Sequence, residues 1–198
     1  LSFNPGNTHH VPWVWGTTGI IYRTDLINTP PVKWADLWTV SEKPAGVWEE
    51  RRTMFGAALM SLGYSVNTSS IAEIDAAAAF LEERLDKQVF VETYDPYTAG
   101  YALTDGTMDV SLGWTYDAQT ALSINENIAY VMPEEGTMLW LEVMVIPADS
   151  QHKATAEAFI NFLLRPENAA VYTNEFAYAT VVDEARPFID EALLNDTT

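Results

Sequence analysis

Short β-rich runs alternate with helical runs from one end of this chain to the other, and that alternation limits the possible folds more than any other feature. Gly16 to Tyr22 reads as a strand leaving an aromatic loop, Pro12-Trp13-Val14-Trp15, and Trp34 to Trp38 as a short helical turn after Pro30-Pro31. A helix is expected from about Glu50 to Leu62, with Phe55, Leu59 and Leu62 on one stripe and Gly63 as its C-terminal stop. Ser70 with Glu73 has capping-box spacing, and Ile71, Ile74, Ala78, Leu81 and Leu85 follow at helical intervals. Met108 to Trp114, Ile128 to Met132 and Leu139 to Ile146 read as strands. Ala154 to Leu164 reads as a helix with an apolar face (Phe159, Ile160, Leu163), and Pro166 suits the first position of another. The pattern predicts an α/β architecture with largely parallel sheets, whose chemistry lies in the loops after strands or between lobes.

The 198 residues, 48% of them hydrophobic, suffice for one large domain or two small lobes. Twenty-eight acids against ten bases give a formal net charge of -18, which repels nucleic acid and anionic lipid and attracts cations. The same acidity also serves a secreted or salt-adapted surface as a plain solubility device. No cysteine is present, so disulfides and thiolate chemistry are excluded, and no apolar run reaches the length of a membrane span. Leu1-Ser2-Phe3-Asn4-Pro5 is not a signal peptide and lacks an initiator Met, so the chain is expected to be an excised or processed piece.

Catalytic signatures are missing: there is no Gly-rich phosphate loop, no zinc-protease motif and no nucleophile elbow. Of the three histidines, His152 lies in a polar turn. The adjacent His9 and His10 could touch a metal, but neighbours in sequence rarely share one site, so a plain loop pair is the expectation and no cofactor is expected. Paired acids such as Glu49-Glu50 and Glu134-Glu135 leave a carbohydrate hydrolase open, though without a motif behind it. The sequons Asn67-Thr68-Ser69 and Asn195-Asp196-Thr197 are discounted as chance matches.

Two clusters carry more information. Trp114-Thr115-Tyr116-Asp117 follows an expected strand, and Trp140-Leu141-Glu142 lies inside another, where alternation sets Trp140 and Glu142 on one face. An acid on an apolar strand face is costly to desolvate without a partner, and neither cluster has a Lys or Arg nearby in sequence. A bound ammonium group would be such a partner, with the indole face covering its methylenes. On residue types alone the alternative stands beside it: both tryptophans belong to the core and both acids face water.

The sequence resembles the spermidine/putrescine-binding periplasmic proteins of ABC transporters, which have a type II periplasmic binding protein fold. The resemblance rests on Phe3-Asn4-Pro5, Val11 to Ile20, Trp34 to Trp38, Leu62 to Ser65, Met132 to Gly136, Val145 to Ala148 and Ile160 to Pro166, in order over nearly the whole chain. It implies a crossing segment at residues 1–17, a near-complete second lobe at 18–140, and at 141–198 an incomplete return to a first lobe whose leading segment is missing. It further implies that Trp114 stacks on the amine, that Asp117 is a ligand acid, and that Trp140 forms the cleft wall. Glu142 would pair with an ammonium end, Tyr178 would belong to the first-lobe side, and Glu50 would lie near an acidic site at the start of the helix ending at Gly63. Glu142 is one methylene longer than the family's aspartate, and Thr53 stands where a glutamate is frequent. The expected function is extracytoplasmic capture of a polyamine and its delivery to a permease, without catalysis. The lobes would close about hinge strands near Thr17 and Leu141. Another amine, a sugar or a metal-carrying anion is the alternative, with six arginines counting against anions. Self-association is a further expectation for a piece with an open first lobe.

Overall fold

Thirteen consecutive residues, Val11–Arg23, form the strand β1, so the aromatic segment expected as a loop is the first half of a strand. Val14 is 1% exposed and Trp13 9%, and alternation on a pleated strand accommodates these β-favouring side chains. The structure, a computed structural model, describes residues 5–48, 50–86, 90–93 and 96–195. Glu49, Phe3 and Asn4 of the resemblance, and Asp196-Thr197 of the second sequon lie outside them. The chain divides into two compact units, Thr17–Met138 and Leu1–Gly16 with Leu139–Thr197.

In the larger unit β1 continues from Thr17. It is followed by a 3-10 turn at Trp34–Trp38, β2 (Ala45–Trp48), α1 (Arg51–Ser61), α2 (Ile71–Asp86), β3 (Phe90–Thr93), α3 (Pro96–Thr104), β4 (Val110–Trp114), α4 (Thr115–Ile124) and β5 (Ile128–Val131). The strand order is β3-β2-β4-β1-β5. β2 is parallel to β3 and β4, whereas β1 runs antiparallel to β4 (Thr18 opposite Trp114) and to β5 (Ile20 opposite Val131). The largely parallel expectation is therefore corrected to a mixed sheet. Helical crossovers link β2, β3 and β4, as parallel pairing requires, and β1 lies between β4 and β5 running the opposite way.

Alternation divides the core between the two sheet faces. Ile20, Tyr22, Val110 and Leu112 pack with Trp34, Leu37, Ala57 and Met60 on one. Ile21, Tyr130 and Ile128 pack with Leu103, Ala118 and Ala121 on the other. α1 ends in a Schellman motif: Gly63 has φ +77°, its N–H donates to Met60 O, and Tyr64 N–H donates to Leu59 O. Its buried face runs through Thr53, Gly56, Ala57, Ala58, Leu59 and Met60, with Phe55 packed beside it; of the expected stripe only Leu62 fails, since it lies past the end and is exposed. α2 exists as expected but turns differently. Ala77 is buried with Phe80 and Leu81 beside it, while Ile71 is 74% and Leu85 59% exposed. α2 packs on α1 and, through Phe80, on Trp38, and so buries only one stripe.

The smaller unit holds the first half of β1, β6 (Met138–Met144, whose first residue belongs to the larger unit), α5 (Lys153–Leu163), α6 (Pro166–Phe176), β7 (Ala179–Thr180), a 3-10 segment at Asp183–Phe188 and α7 (Glu191–Leu194). β6 pairs with β1, and β7 pairs antiparallel with it (Val14 opposite Thr180, Trp15 opposite Ala179). Pro166 does open α6. α5 forms as its periodicity predicts, yet none of its residues is buried.

Candidate functional site

Each unit carries three of the six expected site residues. In the larger unit, β2 and β4 are parallel neighbours, so their carboxyl ends share one edge of the sheet. Glu50 lies just beyond the first, and Trp114 with Asp117 at the end of the second. This edge is where an open α/β sheet offers loop backbones and helix N-termini to a ligand. Thr18, opposite Trp114, is one residue from the point where the chain leaves the unit.

The acids there have structural work. Asp117 is 1% exposed, and its Oδ2 accepts the Trp114 N–H at 2.8 Å, so the third residue of α4 reaches back to cap the backbone at the helix start. It sits over Gly113, on the Ile21 side of the sheet, while the Trp114 ring is half-buried on the Leu112 side. Carboxylate and indole thus meet through the backbone, not face to face. Glu50 is the N-cap of α1, accepting from Arg52 N (3.0 Å), from Thr53 N (2.7 Å) and from the Thr53 hydroxyl. Partial burial pushes the Glu50 pKa up. The Thr53 and Arg52 hydrogen bonds and the Arg52 charge outweigh it, so the carboxyl is held below its ordinary value.

Sequence reasoning missed what lies beside Asp117. Thr17 Oγ1 and Tyr130 Oη are 2.8 Å apart, and the ring of Tyr130 lies across Gly19, where a Cβ would come within 2.8 Å of the phenol oxygen. Burial and the Asp117 charge push the Tyr130 pKa up to about 12, against the Thr17 hydrogen bond. The Thr137 hydroxyl donates to the Thr18 carbonyl. Side-chain hydrogen bonds therefore hold the chain near both points where it passes between units. No spacing signal announces contacts so distant in sequence.

In the smaller unit, Trp140 of β6 and Tyr178 meet edge to face, ring centroids 4.8 Å apart at 85°. Tyr178 is 8% exposed and Trp140 half-buried, and Tyr172 links Tyr178 to Trp13 and Phe176 in the same aromatic cluster. Glu142, two residues along β6 from Trp140, is exposed. This unit thus carries an aromatic cluster with an exposed acid on the strand of Trp140. Among the described residues no group of three or more His, Cys, Asp or Glu is placed to hold a metal. No helix among them is long and apolar enough to cross a membrane.

A family model described as bacterial extracellular solute-binding protein matches residues 4–196. The spermidine/putrescine-binding periplasmic protein of Escherichia coli is 31% identical over 198 residues, covering 99% of this chain and 56% of its own length. A solved ABC transporter chain from Listeria monocytogenes is 31% identical with a TM-score of 0.90, covering 99% of this chain and 60% of that one. The spermidine/putrescine ABC transporter substrate-binding protein of Streptococcus pneumoniae is 30% identical with a TM-score of 0.81, covering 98% and 60%. This chain spans little more than half the length of the curated relatives it matches, and it shares the mixed α/β fold of the ABC transporter binding proteins.

Proposed function

Because the chain belongs to the bacterial extracellular solute-binding protein family, we propose that it takes part in capturing a di- or polyamine outside the cytoplasm, in the periplasm or at the outer face of the membrane, for ABC-transporter uptake. The family is one of solute-binding transport proteins, and the reading assigns this chain no catalytic step. The observation that carries it is a pair of half-buried indoles, Trp114 and Trp140, each followed within three residues by an acid. They occur in a chain 31% identical to a spermidine/putrescine-binding protein.

An alkylammonium ligand satisfies both parts of that arrangement. Indole faces cover methylenes and attract the cation at about 0.5–2 kcal/mol per contact. A carboxylate supplies the charge-assisted hydrogen bonds. The net charge of -18 raises the local concentration of such a cation. Trp114, Trp140 and Tyr178 are assigned to the methylenes, and Glu142, Asp117 and Glu50 to the charged ends. Residues 1–17 would be the crossing segment, 18–140 the second lobe and 141–198 the return to the first. A permease would read the closed form, and the exposed face of α5 gives self-association a route.

Titration calorimetry tests this with putrescine and spermidine. The samples are the chain and a chimera in which the E. coli relative supplies the part of its length that this chain does not span. Heat of binding is expected in the chimera at least, and Glu142→Gln should weaken it. No heat and no thermal shift in either protein at millimolar amine would sink the proposal.

A second reading keeps the fold and takes an amine with a single ammonium group. It is favoured by the backbone capping bonds that engage Asp117 and Glu50, whereas Glu142 is an exposed acid on the strand that carries Trp140. Competition of monoamines against putrescine separates the two.

A further inference from the structure

Trp140 occupies a place defined by what Gly16 lacks. β1 and β7 pair with Val14 opposite Thr180 and Trp15 opposite Ala179, and one more step along that register sets Gly16 opposite Tyr178. Ala177, in the left-handed region at φ 52°, turns the chain from α6 towards β7 and so fixes where Tyr178 begins. The Trp140 indole packs against this pair. Its ring meets Tyr178 edge to face. A Cβ on Gly16 would stand 2.7 Å from its Cη2 and 3.0 Å from its Cε2, with Cζ2 nearer still.

Real Cβ atoms essentially never approach other heavy atoms so closely. The neighbour is a rigid bicyclic ring, not the free end of a flexible chain, so it cannot yield by a small rotation. Gly16 is not among the positive-φ glycines, so its backbone does not ask for glycine. Glycine inside a strand weakens that strand, and its use marks a close approach. Here the approach is the indole.

We propose that Gly16 is a positioning and specificity-determining residue for the aromatic wall formed by Trp140 and Tyr178. Its bare Cα sets the depth of the indole, and that depth sets the width left beside the ring for a methylene chain. The identity of the ligand rests on the amine reading above; the placement of the indole by Gly16 does not.

Three variants test the idea: Gly16→Ala, Trp140→Phe and the two together. In the NMR spectrum of the chain, Trp140→Phe assigns the Trp140 indole N–H resonance by its disappearance, and Gly16→Ala is expected to move that resonance. In the chimera, Gly16→Ala is expected to weaken putrescine binding roughly tenfold and to change the spermidine-to-putrescine affinity ratio. The double variant should bind no more weakly than Trp140→Phe alone, because the smaller ring clears the new methyl group. An unmoved indole resonance, an unchanged affinity ratio, or losses that multiply in the double variant would each overturn the proposal. If Gly16→Ala fails to fold, recovery of the fold in the double variant supports it, and no recovery overturns it. Absence of putrescine binding in the unsubstituted chimera overturns the amine reading alone and leaves the resonance to judge Gly16.

Discussion

In the larger unit Trp34, Leu103, Leu112 and Ile20 are fully buried between sheet and helices, whereas in the smaller unit Phe159, Val171 and Phe188 are each more than half exposed. The larger unit closes its core on both faces of its own sheet. A buried cluster of the smaller unit is made of Ala169, Ala170 and Ala185, and Trp13, Phe162, Val171 and Phe176 line an open groove. The acids differ in the same sense. Asp117, Glu50 and Asp109 of the larger unit are bound to backbone or to Lys43, and Glu142 of the smaller stands in solvent. Both units leave some large apolar side chains exposed, but the larger closes a core on both faces of its sheet, and its acids Asp117 and Glu50 accept backbone bonds.

The sharpest way to break that contrast is to delete one large side chain from each unit. Trp34→Ala removes a fully buried indole whose Nε1 donates to Gly136 O at 2.9 Å, and should cost about 3–5 kcal/mol in urea unfolding. Phe159→Ser on α5 should change stability by no more than about 0.5 kcal/mol. It should also lower any association seen by light scattering. Equal losses in the two variants would mean that α5 is covered in solution.

This division was only partly legible in the sequence. Strand-helix alternation, Gly63 and Pro166 announced their elements, because a positive-φ stop and a first-turn proline act locally. Periodicity found α2 and α5 but misjudged what they bury, since an apolar stripe does not say whether its partner is in the chain. The Trp114-Asp117 spacing suits ligand chemistry, yet three residues is also the interval at which an acid in the first turn reaches back to the N-cap N–H, and Asp117 does so. Tyr130, Thr17 and Gly16 had no local signal at all: their roles come from partners more than a hundred residues away.

Alkaline unfolding sharpens the comparison at the passage between units. Tyr130 has its folded pKa raised from 10 to about 12, so the unfolded chain loses this proton first. The stabilisation is complete below pH 10 and is lost as pH rises from 10 through about 12, a loss of about 2–3 kcal/mol. Tyr130→Phe should flatten that part of the stability profile. A profile identical to the unsubstituted chain would show that the phenol is not buried as described.

The two acids beside tryptophans can be separated by asking what each does without ligand. Asp117→Ala strips a buried cap from Trp114 N–H and should cost about 1–3 kcal/mol in the free protein. Glu142→Ala should leave stability within about 0.5 kcal/mol while reducing amine binding in the chimera. If Asp117→Ala is as harmless as Glu142→Ala, the acid is not an internal cap and its ligand role gains ground.

The smallest expected effect concerns Ala177, which lets the smaller unit place Tyr178. At φ 52° and ψ 21° an alanine suffers a contact between its Cβ and the following carbonyl that glycine avoids, at a cost near 1 kcal/mol. Its N–H bond to Thr173 O at 2.8 Å would survive the substitution. Against this, glycine adds freedom to the unfolded chain, offsetting roughly half the relief. Ala177→Gly should therefore stabilise by about 0.5 kcal/mol, visible as a higher urea midpoint at unchanged slope. The larger unit offers no counterpart among its described residues, since its left-handed positions already carry glycine. A lower midpoint would mean that the alanine methyl is itself packed, and that the turn ahead of Tyr178 is held by contact instead of by backbone geometry.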